Sequence, residues 1–173
     1  MDELKLIEPS LEYQDEYLDM INEWRSTGER MIPFVLRLDC SNFDSFLDEI
    51  HKLKTSKDLG ENKVNSSTFL LVNKKGRVLG ASNIRHELNE QLLNTGGHIG
   101  YGIRPSERMK GNATRLLAMA LDKAKVQGIR KVLVTCDKDN VGSARTIIKN
   151  SGRLDSEDIV DGIIIQRYWI END

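Results

Sequence analysis

Cysteine, proline and histidine are scarce in this chain: 173 residues hold two, three and three of them. Cys40 and Cys136 stand far apart with no C-x-x-C partner, which excludes a disulfide framework and a structural zinc site. His51, His86 and His98 are scattered without H-E-x-x-H or comparable spacing, so no metal cofactor is expected. No apolar run approaches the roughly 20 residues of a bilayer span, and Met1-Asp2-Glu3 begins nothing like a basic-then-apolar signal peptide. A cytoplasmic protein without a membrane partner is expected. An excess of one charge is missing too: 25 basic against 27 acidic side chains leave a net charge of −2, which gives no global pull toward nucleic acid. The length suits one domain over residues 1–173, with a full core.

What is present alternates strands and helices. Leu4 to Glu8 reads as an opening strand stopped by Pro9, after which Ser10 can cap a helix with Tyr17, Leu18, Ile21 and Trp24 on one face. A second amphipathic helix follows Ser41, with Phe43, Phe46, Leu47, Ile50 and Leu53 at helical spacing. Phe69 to Val72 and Val78 to Ile84 form a hairpin around Asn73-Lys74-Lys75-Gly76. The run His98-Ile99-Gly100-Tyr101-Gly102-Ile103 is a strand, Leu116 to Ala124 lie on a helix ending at Gly128, and Lys131 to Cys136 is a further strand. That strand–helix–strand order predicts a right-handed crossover with the two strands as parallel neighbours. Asn140 can cap a short helix, and Asp161-Gly162 is a type I′ turn of a terminal hairpin. The sum is an α/β (α+β mixed) domain, with a mixed, mostly antiparallel twisted sheet of six to seven strands and about four helices.

The densest chemical signal is Arg108-Met109-Lys110-Gly111-Asn112-Ala113, placed between a strand and a helix. Gly111 lets a ligand approach the main chain, and the helix that starts there presents unpaired N–H groups at the positive end of its dipole. This is an anion cradle, with Arg104, Arg108, Lys110 and Arg115 close by in sequence. A nucleotide P-loop is excluded because Asn112 follows Gly111 where Lys-Ser or Lys-Thr is needed. A dinucleotide motif is excluded because the G-x-G-x-x-G spacing is missing.

In this context the loop resembles the signature of the GCN5-related N-acetyltransferase (GNAT) family: Gln or Arg, two residues, Gly, one residue, then Gly or Ala. Arg108, Gly111 and Ala113 match it, and Asn140-Val141-Gly142-Ser143 is similar to the family's Asn-x-x-Ser segment. The resemblance implies an acyl-CoA N-acyltransferase-like fold and direct transfer of an acetyl group from acetyl-CoA to the primary amine of a small molecule or peptide. It implies that Arg108, Met109, Lys110, Gly111, Asn112, Ala113 and Thr114 bind the pyrophosphate. Tyr101 and Ile103 would pair with the pantetheine arm, and Asn140 and Ser143 would line the cofactor's other side. In many members this fourth strand is splayed from the next.

An amine attacks only when neutral, so a proton acceptor is needed. Many members have a glutamate just before the Ile-Gly-Tyr-like run; His98 stands there, and imidazole titrates near neutrality, which makes it the expected base. The family's usual tyrosine acid is replaced by Ile147, leaving Tyr101, Cys136 or water to protonate the thiolate. Trp24, Arg85 and His86 are the candidate acceptor contacts, with a homodimer left open. A non-catalytic acyl-CoA sensor on the same fold is the alternative.

Overall fold

The computed structural model describes residues 3–173. Its strands are β1 (Leu4–Ile7), β2 (Ser66–Asn73), β3 (Val78–Arg85), β4 (Ile99–Ile103), β5 (Lys131–Asp137), β6 (Arg153–Val160) and β7 (Ile163–Glu171). The helices are α1 (Gln14–Ser26), α2 (Phe43–Thr55), α3 (Glu90–Asn94), α4 (Asn112–Val126) and α5 (Val141–Lys149). The strands make two antiparallel sheets, in the orders β1-β2-β3-β4 and β5-β7-β6.

Periodicity decides which face each element buries. The spacing of Leu116, Leu117, Ala120, Leu121 and Ala124 gives α4 one continuous apolar face, which packs with Leu71, Ile84, Ile99 and Val134 into one core. On the other face, α1 and α2 bring Tyr17, Met20, Ile21, Trp24, Phe43 and Phe46 against Leu70, Val72, Val78 and Ala81. Tyr17, Phe43 and Phe46 cluster with ring centroids 4.9–5.6 Å apart, and each large side chain buried there contributes about 1.5–3 kcal/mol. Local capping differs in one place from expectation. Ser10 makes no side-chain cap, whereas Asn42, Asn89 and Asn140 accept from the N–H groups of Ser45, Leu92 and Ser143. Asp161 and Gly162 both have positive φ, as a type I′ turn requires.

The crossover prediction needs correction. β4 and β5 are not parallel neighbours but lie in different sheets. β5 gives an edge to β7, and among the described residues the hydrogen bonds that hold it toward β4 lie around residues 96–98. There His98 N–H donates to the Leu133 carbonyl at 2.8 Å, Leu133 N–H donates to Nδ1 of the His98 ring at 2.9 Å, and Gly96 N–H donates to Thr135 Oγ1 at 2.9 Å. A ring nitrogen takes the place of a main-chain acceptor, so the ladder does not propagate. Gly97 permits the close approach: its φ is +60°, and a Cβ there would lie 2.4 Å from the Leu133 oxygen.

Candidate active site

Below the parted strands lies the start of α4. Gly111 takes the N-cap position with φ +77°, no side chain caps the first turn, and a Cβ on Gly111 would point into open space. The N–H groups of Asn112, Ala113 and Thr114 therefore belong to a helix start with no side-chain acceptor. Asn112 shapes the loop by donating through Nδ2 to the Glu107 carbonyl at 2.9 Å while being 8% exposed. Met109 has a positive φ and a fully exposed side chain.

The basic residues of this stretch are less available than their spacing suggests. Arg104 turns away from the loop altogether: it is 2% exposed and pairs with Asp19, Glu23 and Glu16 of α1. Arg108 forms a two-toothed pair with Glu29 at 2.8 and 3.2 Å, lies 5.3 Å from the Trp24 ring centroid, and donates through Nε to the Ile103 carbonyl. The Arg108 hydrogen bonds hold the Glu29 carboxyl below its ordinary pKa. Lys110 pairs with Glu107 at 3.2 Å. An anion at this loop meets main-chain donors first.

Beyond His98 the outer edge of β4 is open toward β5. Arg104 N–H donates to the Leu79 carbonyl, which directs the main chain of even-numbered β4 residues to β3 and that of Tyr101 and Ile103 to the opposite edge. From that edge the Tyr101 side chain reaches α5, its hydroxyl 2.8 Å from Ser143 Oγ. Burial raises the Tyr101 pKa far above normal, so the phenol is protonated at any physiological pH. Cys136 lies near, its thiol pushed up to about 11 by burial. Ile147 is fully buried in the core.

His98, the expected base, is held by a contact between the two sheets. A backbone N–H can only donate, so the Leu133 contact consumes the Nδ1 lone pair and leaves the neutral ring protonated on Nε2. That ring has no free lone pair with which to take a proton from an amine. Burial first, and the Arg85 charge second, pull its pKa down to about 4. In this arrangement His98 is a clasp between two sheets.

On the face toward α1, β4 presents glycines, and neighbouring segments pack directly on its main chain. A Cβ on Gly102 would lie 2.1 Å from the Ile32 carbonyl oxygen and 2.7 Å from the Trp24 ring. Trp24 is 3% exposed and packs in the core, with its indole N–H unpaired. Arg85 reaches over Gly100 beside Pro33, stacks 5.7 Å from the Phe34 ring centroid and donates to the Gly96 carbonyl. His86 parts company with it: its Nε2 is 2.8 Å from Ser67 Oγ, which Gln127 beyond α4 also reaches. Arg85 and Trp24 thus both lie against the glycine face of β4, and His86 has partners of its own. Two features escaped sequence reading, the Tyr101–Ser143 contact and the glycine face of β4. The G-x-G alternation was the available signal for the second.

The family model of the acetyltransferase (GNAT) domain matches residues 4–152, and the chain belongs to that family. Among solved structures, the chain is similar to the microcin C7 self-immunity acetyltransferase MccE in complex with acetyl-CoA and AMP, with a TM-score of 0.68 at 18% identity over 99% of this chain and 93% of that one. It is also similar to a dodecameric spermidine N-acetyltransferase from Vibrio cholerae, with a TM-score of 0.65 at 15% identity over 98% of this chain and 94% of that one. At these identities the likeness carries the fold alone. Among curated proteins none matches the sequence. No helix of the described residues is long and apolar enough to cross a membrane.

Proposed function

We propose that this chain is an acetyl-CoA-dependent N-acetyltransferase that passes the acetyl group directly to a primary amine. The observation that carries this reading is the uncapped, glycine-started α4 lying beneath a parting of β4 from β5. Main-chain N–H groups from Arg108 to Thr114 hold the pyrophosphate, and the outward main chain of Tyr101 and Ile103 pairs with the pantetheine amides. Asn140 keeps its cap on Ser143 N–H at 3.0 Å, and the two residues line the far side.

In the reaction the amine nitrogen forms a bond to the thioester carbonyl carbon, the C–S bond breaks, the nitrogen sheds one proton and the departing thiolate takes one up. Tyr101 is the donor by position: its hydroxyl lies in the wall of the opening and carries its proton at physiological pH, and it is reprotonated as the acylated nitrogen sheds a proton. With His98 engaged, no resident imidazole frees the amine. The rate then follows the acceptor's own free-base fraction, and positioning supplies much of the acceleration.

The engaged His98 and the buried Ile147 favour one rival, an acyl-CoA sensor without turnover. Incubation with acetyl-CoA and a panel of primary amines distinguishes the two. Free thiol above spontaneous hydrolysis supports the enzyme, and uptake of acetyl-CoA without thiol release supports the sensor.

A further inference from the structure

Arg85 is a cation in an unusual position. Both terminal nitrogens lie 3.2–3.3 Å from where a Gly100 Cβ would stand, Pro33 packs on the same point, and the Phe34 ring covers the guanidinium. Among the described residues its guanidinium donates one hydrogen bond, from Nη1 to the Gly96 carbonyl, and has no carboxylate partner. Further positive charge stands nearby. Arg37, exposed and donating to the Met31 carbonyl, faces Arg85 and Arg30. Burial and the Arg37 charge pull the Arg85 pKa down to about 10.

The acids of this region are committed elsewhere. Glu29 pairs with Arg108, Asp39 accepts from Ser41 N–H and faces Arg25, and Glu87 acts on His86. A desolvated cation without a counter-ion is costly to hold. It becomes favourable when an oxyanion arrives, and the free part of the guanidinium fork suits one well.

Resting on the N-acetyltransferase reading above, we propose that Arg85, assisted by Arg37, forms an anion subsite for the acceptor, whose amine is carried on a molecule bearing a carboxylate or phosphate. The subsite lies over Gly100, next to the His98 clasp where the strands part. Polyamines are disfavoured, because their charges meet two arginines.

The test uses the full chain, with acetyl-CoA binding by calorimetry measured first. Thiol release is then followed with matched amines: α-amino acids against their amides, O-phosphoethanolamine against ethanolamine, and spermidine. The anionic member of a pair is expected to exceed its neutral partner in kcat/KM by at least about tenfold, with spermidine poorest. The carboxylate and phosphate pairs identify which oxyanion is used. Arg85→Gln should bring the ratio within a pair toward one by raising KM for the anionic member, with acetyl-CoA affinity unchanged. Arg37→Gln, at an exposed position, should lower the ratio by about threefold. Preference for neutral amines or spermidine overturns the subsite, as does a ratio that both variants leave intact or a loss that falls equally on both members. Acetyl-CoA uptake without turnover of any anionic amine overturns the subsite while leaving cofactor binding standing. Absence of acetyl-CoA uptake overturns the enzyme reading together with it.

Discussion

Two guanidinium groups bracket β4, Arg104 just past its end and Arg85 on the neighbouring strand opposite His98. Arg104 is 2% exposed and surrounded by Glu16, Asp19 and Glu23, so its charge is met within the fold and ties β4 to α1. Arg85 has a carbonyl, an aromatic face and another arginine. The contrast separates a charge that builds the scaffold from one the scaffold leaves unmatched. It also divides the strand: at the Arg104 end the side chains lock in ion pairs, while at the Arg85 end two glycines let Pro33, Ile32 and Trp24 pack directly on the main chain.

Removing each charge should have opposite consequences. Arg104→Met is expected to cost about 3 kcal/mol of unfolding free energy, because three carboxylates lose their cation and a buried position loses its hydrogen bonds. Chemical denaturation checks this. A loss under about 1 kcal/mol would show the network to be as weak as a surface ion pair.

Next in size is the clasp. His98→Ala leaves the buried Leu133 N–H without an acceptor, at a cost of about 1–3 kcal/mol, and should weaken acetyl-CoA binding through the altered parting of the strands. His98→Gln keeps an acceptor and should recover most of both. The pH sign follows from a depressed pKa. The neutral ring is favoured in the fold, so its contribution is complete above its unfolded value near 6.5 and is lost as pH falls toward about 4. His98→Gln should flatten that acid limb in thermal melts, while the activity profile near neutrality keeps its shape. A vanished activity limb with intact cofactor affinity would restore His98 as the base.

Tyr101→Phe should lower kcat about tenfold or more with little change in acetyl-CoA affinity, as expected for a lost proton donor. Single-turnover thiol release measures it; an unchanged rate assigns the proton to water or Cys136. Smallest of all is the stability effect of Arg85→Gln, within about 1 kcal/mol of the parent or slightly favourable, since a desolvated charge disappears. A large loss would place Arg85 with Arg104 among the scaffold charges.

Much of this organisation was legible in the order of residues. Gly111 at a helix start, the apolar stripe of α4, the Asn140 cap and the Asp161-Gly162 turn are local, and short-range chemistry announces them. What escaped reading depends on partners far along the chain. Arg104 looked like part of a phosphate loop because Asp19 and Glu23 are more than 80 positions away. The His98 hydrogen bond to Leu133 crosses between sheets, and no periodicity encodes it. The crossover rule for parallel neighbours failed where a side chain replaced a main-chain acceptor and β7 took β5's edge.

The account rests most heavily on the α4 start, and calorimetric titration of acetyl-CoA into the parent and Gly111→Val tests it directly. The account predicts saturable one-to-one uptake by the parent and an affinity at least about tenfold weaker in the variant, because a branched side chain would stand where the phosphates meet the main chain. Equal affinity in a variant with the parent's circular dichroism and melting behaviour, or no uptake by the parent, would contradict it.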